Sequence, residues 1–192
     1  MTESRYNVLM GDLPEEWNGH GLNTDFRTGI CIVQVMGDAE FSGSERLSYA
    51  CELLYKDPPA SLDDCLQGLL WYLGGWNRDG KAKEAQDDVV VMDYDIDQWR
   101  IYAAFLKQYR IDLNSADMHF WVFMGLLTNL DECSFTRVID VRTIKLDPKM
   151  PQKQKEALKK AKQIYMIDRN GQEDEEISPA REEFLKFAGL SK

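Results

Sequence analysis

The sequence is poor in histidine: His20 and His119 are the two in 192 residues. A hydrolytic triad or a histidine-rich metal site needs an imidazole beside a partner group, and there is almost no material here for either. The four cysteines, at positions 31, 51, 65 and 133, include no C-x-x-C pair and have no histidine close by in sequence. Local spacing therefore assembles no tetrahedral zinc site, and the cysteines read as free, buried thiols of a reducing compartment. Neither G-x-x-x-x-G-K-[ST] nor G-x-G-x-x-G occurs, so the common phosphate-cradling loops are missing. The apolar stretch from Met118 to Leu130 is bracketed by Asp117 and Asp131. It falls short of the roughly 20 residues that cross a bilayer, and it reads as a buried core helix. Glu3 and Asp12 stand where a signal peptide would carry its apolar core, so no export signal is expected.

What is present is acid. Asp and Glu number 33 against 23 Lys and Arg, for a net charge of −10. Such a surface repels phosphate backbones and anionic headgroups, so neither nucleic acid nor membrane is an expected partner. Hydrophobic residues make up 44% and aromatics 11%, enough to offset the ordering entropy of one core. The length is that of a single domain.

The first unit reads as a small β-hairpin, Leu13 to Trp17 and His20 to Asn23 around Asn18-Gly19, the favoured two-residue turn. Thr24 or Asn23 is then expected to cap a helix running from Asp25 to about Met36. A second helix spans about Ser44 to Tyr55 and stops before Pro58-Pro59. Ser61 and Asp64 resemble a capping box opening a helix to about Trp76, with Leu62, Leu66, Leu69, Leu73 and Trp76 as its core stripe. Trp71 projects from the opposite side. It either packs on a second layer of the fold or meets a partner, and it is the candidate protein-binding residue.

A polar connection, 77 to 93, reads as the mobile segment. The next helix starts at Asp95 or Asp97. Its denser stripe, Trp99, Tyr102, Ala103, Leu106 and Tyr109, is expected in the core, with Ile101 and Phe105 on a second buried face. Truncating Trp99 should then cost about 3–5 kcal/mol. A central helix after Asn114-Ser115 carries Phe120, Phe123, Met124, Leu127 and Leu130, with His119 as a hydrogen-bonded core residue, and a shorter helix covers Ser134 to Thr143.

After Pro148 a lysine-rich helix has only a thin apolar seam, Leu158, Ala161 and Tyr165. An acidic stretch from Asp168 to Glu176 follows, and Ser178, Pro179 and Gly189 delimit a last short helix. The fold class expected is mainly α: a helical core domain with an N-terminal hairpin over 1–147 and a peripheral helical arm over 148–192.

Two motifs fail on inspection. Asp93, Asp95 and Asp97 have calcium-loop spacing, but Gln98 stands at the glycine position and Ala104 at the bidentate glutamate; the acids read as helix N-terminal charges. The lysine run lacks interleaved aromatics and reads as a solvated helix face. No catalytic residue, cofactor or metal site is expected.

Two blocks resemble the bacteriophage gene-product-fifteen family: LPEEWNGHGLNTDFRTGI near the start, and DYDIDQWRIYAAFLKQYRIDLNSADMHFWVFMGLLTNL followed by VIDVRTIKLDP. With the helix between them the resemblance covers about residues 13–147. It implies a tail-cluster protein that acts as a tail assembly chaperone in the host cytoplasm, absent from the finished virion. Its partners would be the tape measure protein and the major tail protein that forms the tube, and self-association is compatible with it. A minor structural component of the tail is the alternative, and an enzyme a distant third.

Overall fold

The computed structural model describes residues 6–76 and 90–167. Asn18 and Gly19 sit at φ 50° and 84°, the left-handed values that a two-residue hairpin turn needs at both centres. They join β1 (Glu16–Trp17) to β2 (His20–Gly21) in an antiparallel pair. The hairpin is present but short, because beyond it the chain finds other partners. The Gly21 carbonyl accepts from the Lys56 N–H at 2.9 Å, and Leu22 bridges to Tyr55.

Each residue from Asn23 to Arg27 fastens a different part of the chain. The Asn23 backbone N–H and Nδ2 donate to the carbonyls of Leu54 and Leu53, at 2.7 and 2.8 Å. Those carbonyls end α2 (Gly43–Leu54), where a helix has acceptors without intrahelical donors. The Thr24 carbonyl accepts from Phe120 N–H at 2.8 Å. Both residues are thus already spent on extended pairing, and the helix cap falls one place later than Thr24. Asp25 Oδ1 accepts from Arg27 N–H at 2.8 Å and caps α1 (Phe26–Gly37). Phe26 stacks on Phe123, and Phe123 on Phe105, with ring centroids 5.0 and 5.2 Å apart. The Arg27 guanidinium donates to the carbonyls of Leu113, Asn114 and Ala116 at 2.7, 3.1 and 3.1 Å.

Ser42 and Glu45 form a full capping box at the start of α2, and Ser61 caps α3 (Leu62–Gly74). The inward face of α3 is Cys65, Gly68, Leu69 and Tyr72, and Leu62 is exposed. Only Leu69 of the expected stripe is fully buried. Gly68 explains the rotation: a Cβ there would collide with the Tyr55 hydroxyl and the Trp17 ring, so these aromatics lie directly on the helix backbone. Gly29 does the same for Phe120 on α1. Of the four free cysteines Cys51 and Cys65 are buried as expected, Cys133 is half-buried and Cys31 is exposed. Burial, with the neighbouring Cys65, pushes the Cys51 thiol up to about 12.

The remaining helices are α4 (Gln98–Gln108), α5 (Phe120–Thr128), α6 (Ser134–Thr143) and α7 (Gln152–Tyr165). α5 is central, with Phe120, Trp121, Phe123 and Leu127 buried. His119 lies at its start instead of inside it. Nδ1 accepts from Trp121 N–H at 3.0 Å, which leaves Nε2–H to donate to the Pro14 carbonyl at 3.1 Å. Among the described residues no helix is long and apolar enough to cross a membrane. Most of the expected mobile connection and the last short helix lie outside the described residues.

Asp97 and Arg142 form a buried, two-pronged ion pair. Arg142 donates to the two Asp97 oxygens at 2.6 and 3.1 Å, and the side chains are 0% and 3% exposed. Arg100 adds a third donor to Asp97 at 2.9 Å, and the Asp93 N–H a fourth at 3.2 Å. The rest of the Arg142 guanidinium goes to the carbonyls of Tyr165 and Val91, at 2.6 and 3.1 Å. One pair therefore holds together the segment before α4, α4 itself, α6 and the end of α7. α7 has no fully buried residue, yet Lys162 Nζ also reaches the Arg142 carbonyl at 2.9 Å.

That pair decides which face of α4 looks inward. Successive helix residues are 100° apart, so Ile101, Ala104 and Phe105 share the side of Asp97, and all three are buried. The stripe expected in the core is the outer one.

Removing one partner of such a pair strands a buried charge. Arg142→Ala is expected to lower stability by about 3–5 kcal/mol in urea unfolding, with Asp97→Asn smaller because its shape survives. A loss within 0.5 kcal/mol, the size of an ordinary surface change, would refute the role given to the pair. A second expectation concerns pH. Burial lowers the pKa of His119, against the opposing pull of the Pro14 carbonyl and Glu15. The unfolded chain, titrating near about 6.5, then binds more protons than the folded one, so stability rises with pH through this range. It should be complete above about pH 6.5 and fall on acidification, since a proton on Nδ1 destroys the cap. His119→Asn keeps an acceptor and should remove that part of the pH dependence in thermal melts.

Candidate protein-binding surface

With Asp97 turned inward, α4 presents Trp99, Ala103 and Leu106 to solvent, and Ile96 just ahead of the helix continues the line. Trp99 is 73% exposed, Ile96 53% and Leu106 42%. The steps from 96 to 99, 103 and 106 are three, four and three residues, the spacing by which one helix seats against another. Trp99 is held on one side by an edge-on contact with Tyr102, at 5.9 Å and 83°.

Beside this stripe a cleft of about 220 Å³ opens between α1 and α4. Phe26, Ile101 and Phe123 form its floor, and Ile30, Tyr94, Trp99, Tyr102 and Leu113 its apolar walls. Tyr94 donates to Met124 Sδ at 3.5 Å, and burial pushes its phenol up to about 12. The polar rim is Gln34, Asp95 and Gln98, with Gln34 Nε2 donating to Asp95 Oδ2 at 2.9 Å. At the Tyr102 end, loss of solvent and then the Asp112 carboxylate push the phenol above its usual value. Arg27 also lies near, but it is committed to Asp25 at 3.1 Å and to three carbonyls. The carboxylates with calcium-loop spacing have other work: Asp93 Oδ1 accepts from Asp95 and Ile96 N–H, at 2.8 and 3.0 Å, and Asp97 is in the ion pair.

Residues 10–167 match the family described as Bacteriophage Gp15 protein. The chain belongs to that family. The match takes in every helix and strand described above, so the hairpin, the Asn23 to Arg27 hub and the α1–α4 cleft all lie in the Gp15 region. No curated protein and no solved structure matches the chain.

Trp71, the residue selected from sequence, sits half-buried in a cluster of aromatic edges, 5.3 Å from Trp121 and 6.1 Å from Tyr6. Those two rings line a second, wider cleft of about 610 Å³, together with Val8, Leu13, Trp76 and Leu126. Trp71 thus packs on the protein itself, while Trp99 is the tryptophan most open to solvent. The missed signal was Asp97. An acid on the same face as Ile101 and Phe105, and a base, Arg142, in line with Phe135 and Val138 on α6, mark two stripes whose charges neutralise each other.

An outward Trp99 ring does not carry the stability cost that a place in the core predicts. Trp99→Ala should change stability by less than about 0.5 kcal/mol, as at other open surface positions, with an unaltered urea m-value. A loss near 3 kcal/mol, the scale of a core aromatic, would place this face inside an assembly or a tighter fold.

Proposed function

We propose that this chain is a tail assembly chaperone that binds the tape measure protein during tail morphogenesis in the host cytoplasm, with the major tail protein as a second client. The observation that carries the reading is the outward stripe of Ile96, Trp99, Ala103 and Leu106 on a phage-family protein of net charge −10. A monomer rarely leaves ordered apolar side chains at helix-seating spacing uncovered unless something docks there. A tape measure protein, in turn, is a long helical chain whose apolar stretches aggregate before a tube encloses them. An acidic carrier with an apolar face covers such stretches and keeps the complex dispersed by mutual repulsion. The reaction chemistry of an enzyme has no equivalent support, since the carboxylates near the cleft serve as turn caps and ion-pair partners.

Co-expression with the tape measure protein of the same phage should move that protein from the pellet to the soluble fraction and yield a co-purifying complex. An insoluble tape measure protein with no complex rejects the reading. Mass spectrometry of purified virions separates it from the structural alternative: a chaperone is nearly absent there, and a tail component is present in stoichiometric amount.

A further inference from the structure

We propose that the cleft between α1 and α4 receives one large apolar side chain of a basic amphipathic helix, while the rest of that helix lies along Ile96, Trp99, Ala103 and Leu106. This deepens the chaperone reading and rests on it, because it states what kind of client segment is held and where.

Shape supports a helix. The stripe has the three-and-four spacing of a helical seam, and Ala103 at its centre lets a second backbone approach. The cleft adjoins the stripe through Trp99, which belongs to both, and through Tyr102, whose ring meets Trp99 edge-on in the cleft wall. Its volume, about 220 Å³, is that of a pocket for one anchor, given that an apolar cavity of about 150 Å³ already accommodates benzene. The floor is wholly apolar, so the anchor is Leu, Met or an aromatic residue, not a charged one.

Charge selects the flanks. Asp95 stands on the cleft rim and Asp112 beside Tyr102, both exposed. Arg27, a cation near the cleft, is bound to Asp25 and to backbone carbonyls. Lys107 lies on the far flank of the stripe, away from α1. A client helix therefore places Lys or Arg over the α1 side, where carboxylates meet them, and an acidic helix is repelled.

The test uses the full chain and two synthetic helices with the same apolar positions, one flanked by Lys and the other by Glu. Titrations followed by tryptophan fluorescence should show the Lys helix binding at least about tenfold more tightly, with an affinity that falls as salt is added. Trp99→Ala should weaken that binding by roughly tenfold, the loss typical of an interface anchor, with its thermal melt unchanged. Asp95→Lys should narrow the gap between the two helices, and Leu70→Ala, on the exposed side of α3, should leave both affinities as they were. Equal binding of the two helices, no binding of either, or a folded Trp99→Ala protein that binds like the parent overturns the proposal. None of those results touches solubilisation of the tape measure protein by the unaltered chain, which tests the chaperone reading separately. Conversely, tight Lys-helix binding without solubilisation supports the cleft and removes the chaperone. A dimer in sedimentation that Trp99→Ala dissociates gives this face to a second copy and also overturns the proposal.

Discussion

The bidentate pair between Asp97 and Arg142 is the interaction on which the C-terminal half turns. Neither charge is tolerable alone at zero or 3% exposure, because an unpaired ion in a low-dielectric interior costs several kcal/mol. Together they are saturated: the carboxylate accepts from Arg142, Arg100 and the Asp93 N–H, and the guanidinium also reaches Val91 and Tyr165 carbonyls. Direction is the consequence. Apolar packing would accept α4 in more than one rotation, but a carboxylate with one fixed fork to meet accepts only one. The last turn of α7 follows the same constraint, since its Tyr165 carbonyl completes the guanidinium.

A second junction organises the N-terminal half by backbone bonding and not by charge. Asn23 closes the end of α2, Thr24 pairs with the start of α5, Asp25 caps α1, and Arg27 holds the loop between α4 and α5. Phe26 then carries the connection into the core. Its ring begins the stack through Phe123 to Phe105, so α1, α5 and α4 meet in three parallel rings. Offset aromatic pairs of this kind add about 0.5–1.5 kcal/mol each beyond the area they bury. Gly29 makes room for Phe120 where α1 meets α5.

The outward face is the geometric remainder of those two junctions. Once Asp97, Ile101 and Phe105 are inside, Trp99 and Leu106 must be outside. The cleft beside them lies where Phe26 of α1 and Phe105 of α4 stack on the same Phe123, with Tyr94 and Leu113 in its walls. An apolar stripe of this kind is an aggregation hazard in a neutral protein. A net charge of −10 counters it by repulsion between copies while leaving the short-range apolar attraction available to a partner of opposite charge.

Much of this was determined by local sequence. Asn18-Gly19 demands a turn, Ser42 with Glu45 and Ser61 with Asp64 start helices, and the apolar run from Met118 marks the central element, all through forces acting within a few residues. The mainly helical class and the order of elements follow from these. Local pattern also showed that α4 has two apolar stripes. It did not say which stripe is interior, because hydrophobic periodicity measures how apolar residues are spaced and carries no information about what they meet. Asp97 read as a helix-end charge until Arg142, 45 residues away in sequence, was brought against it. Tertiary structure alone placed Trp71 half-buried against Trp121 and turned Trp99 outward. The physical reason is that burying an ion pair is a long-range, orientation-specific requirement, and it overrides a preference for burying the larger apolar face that either rotation of the helix could partly satisfy.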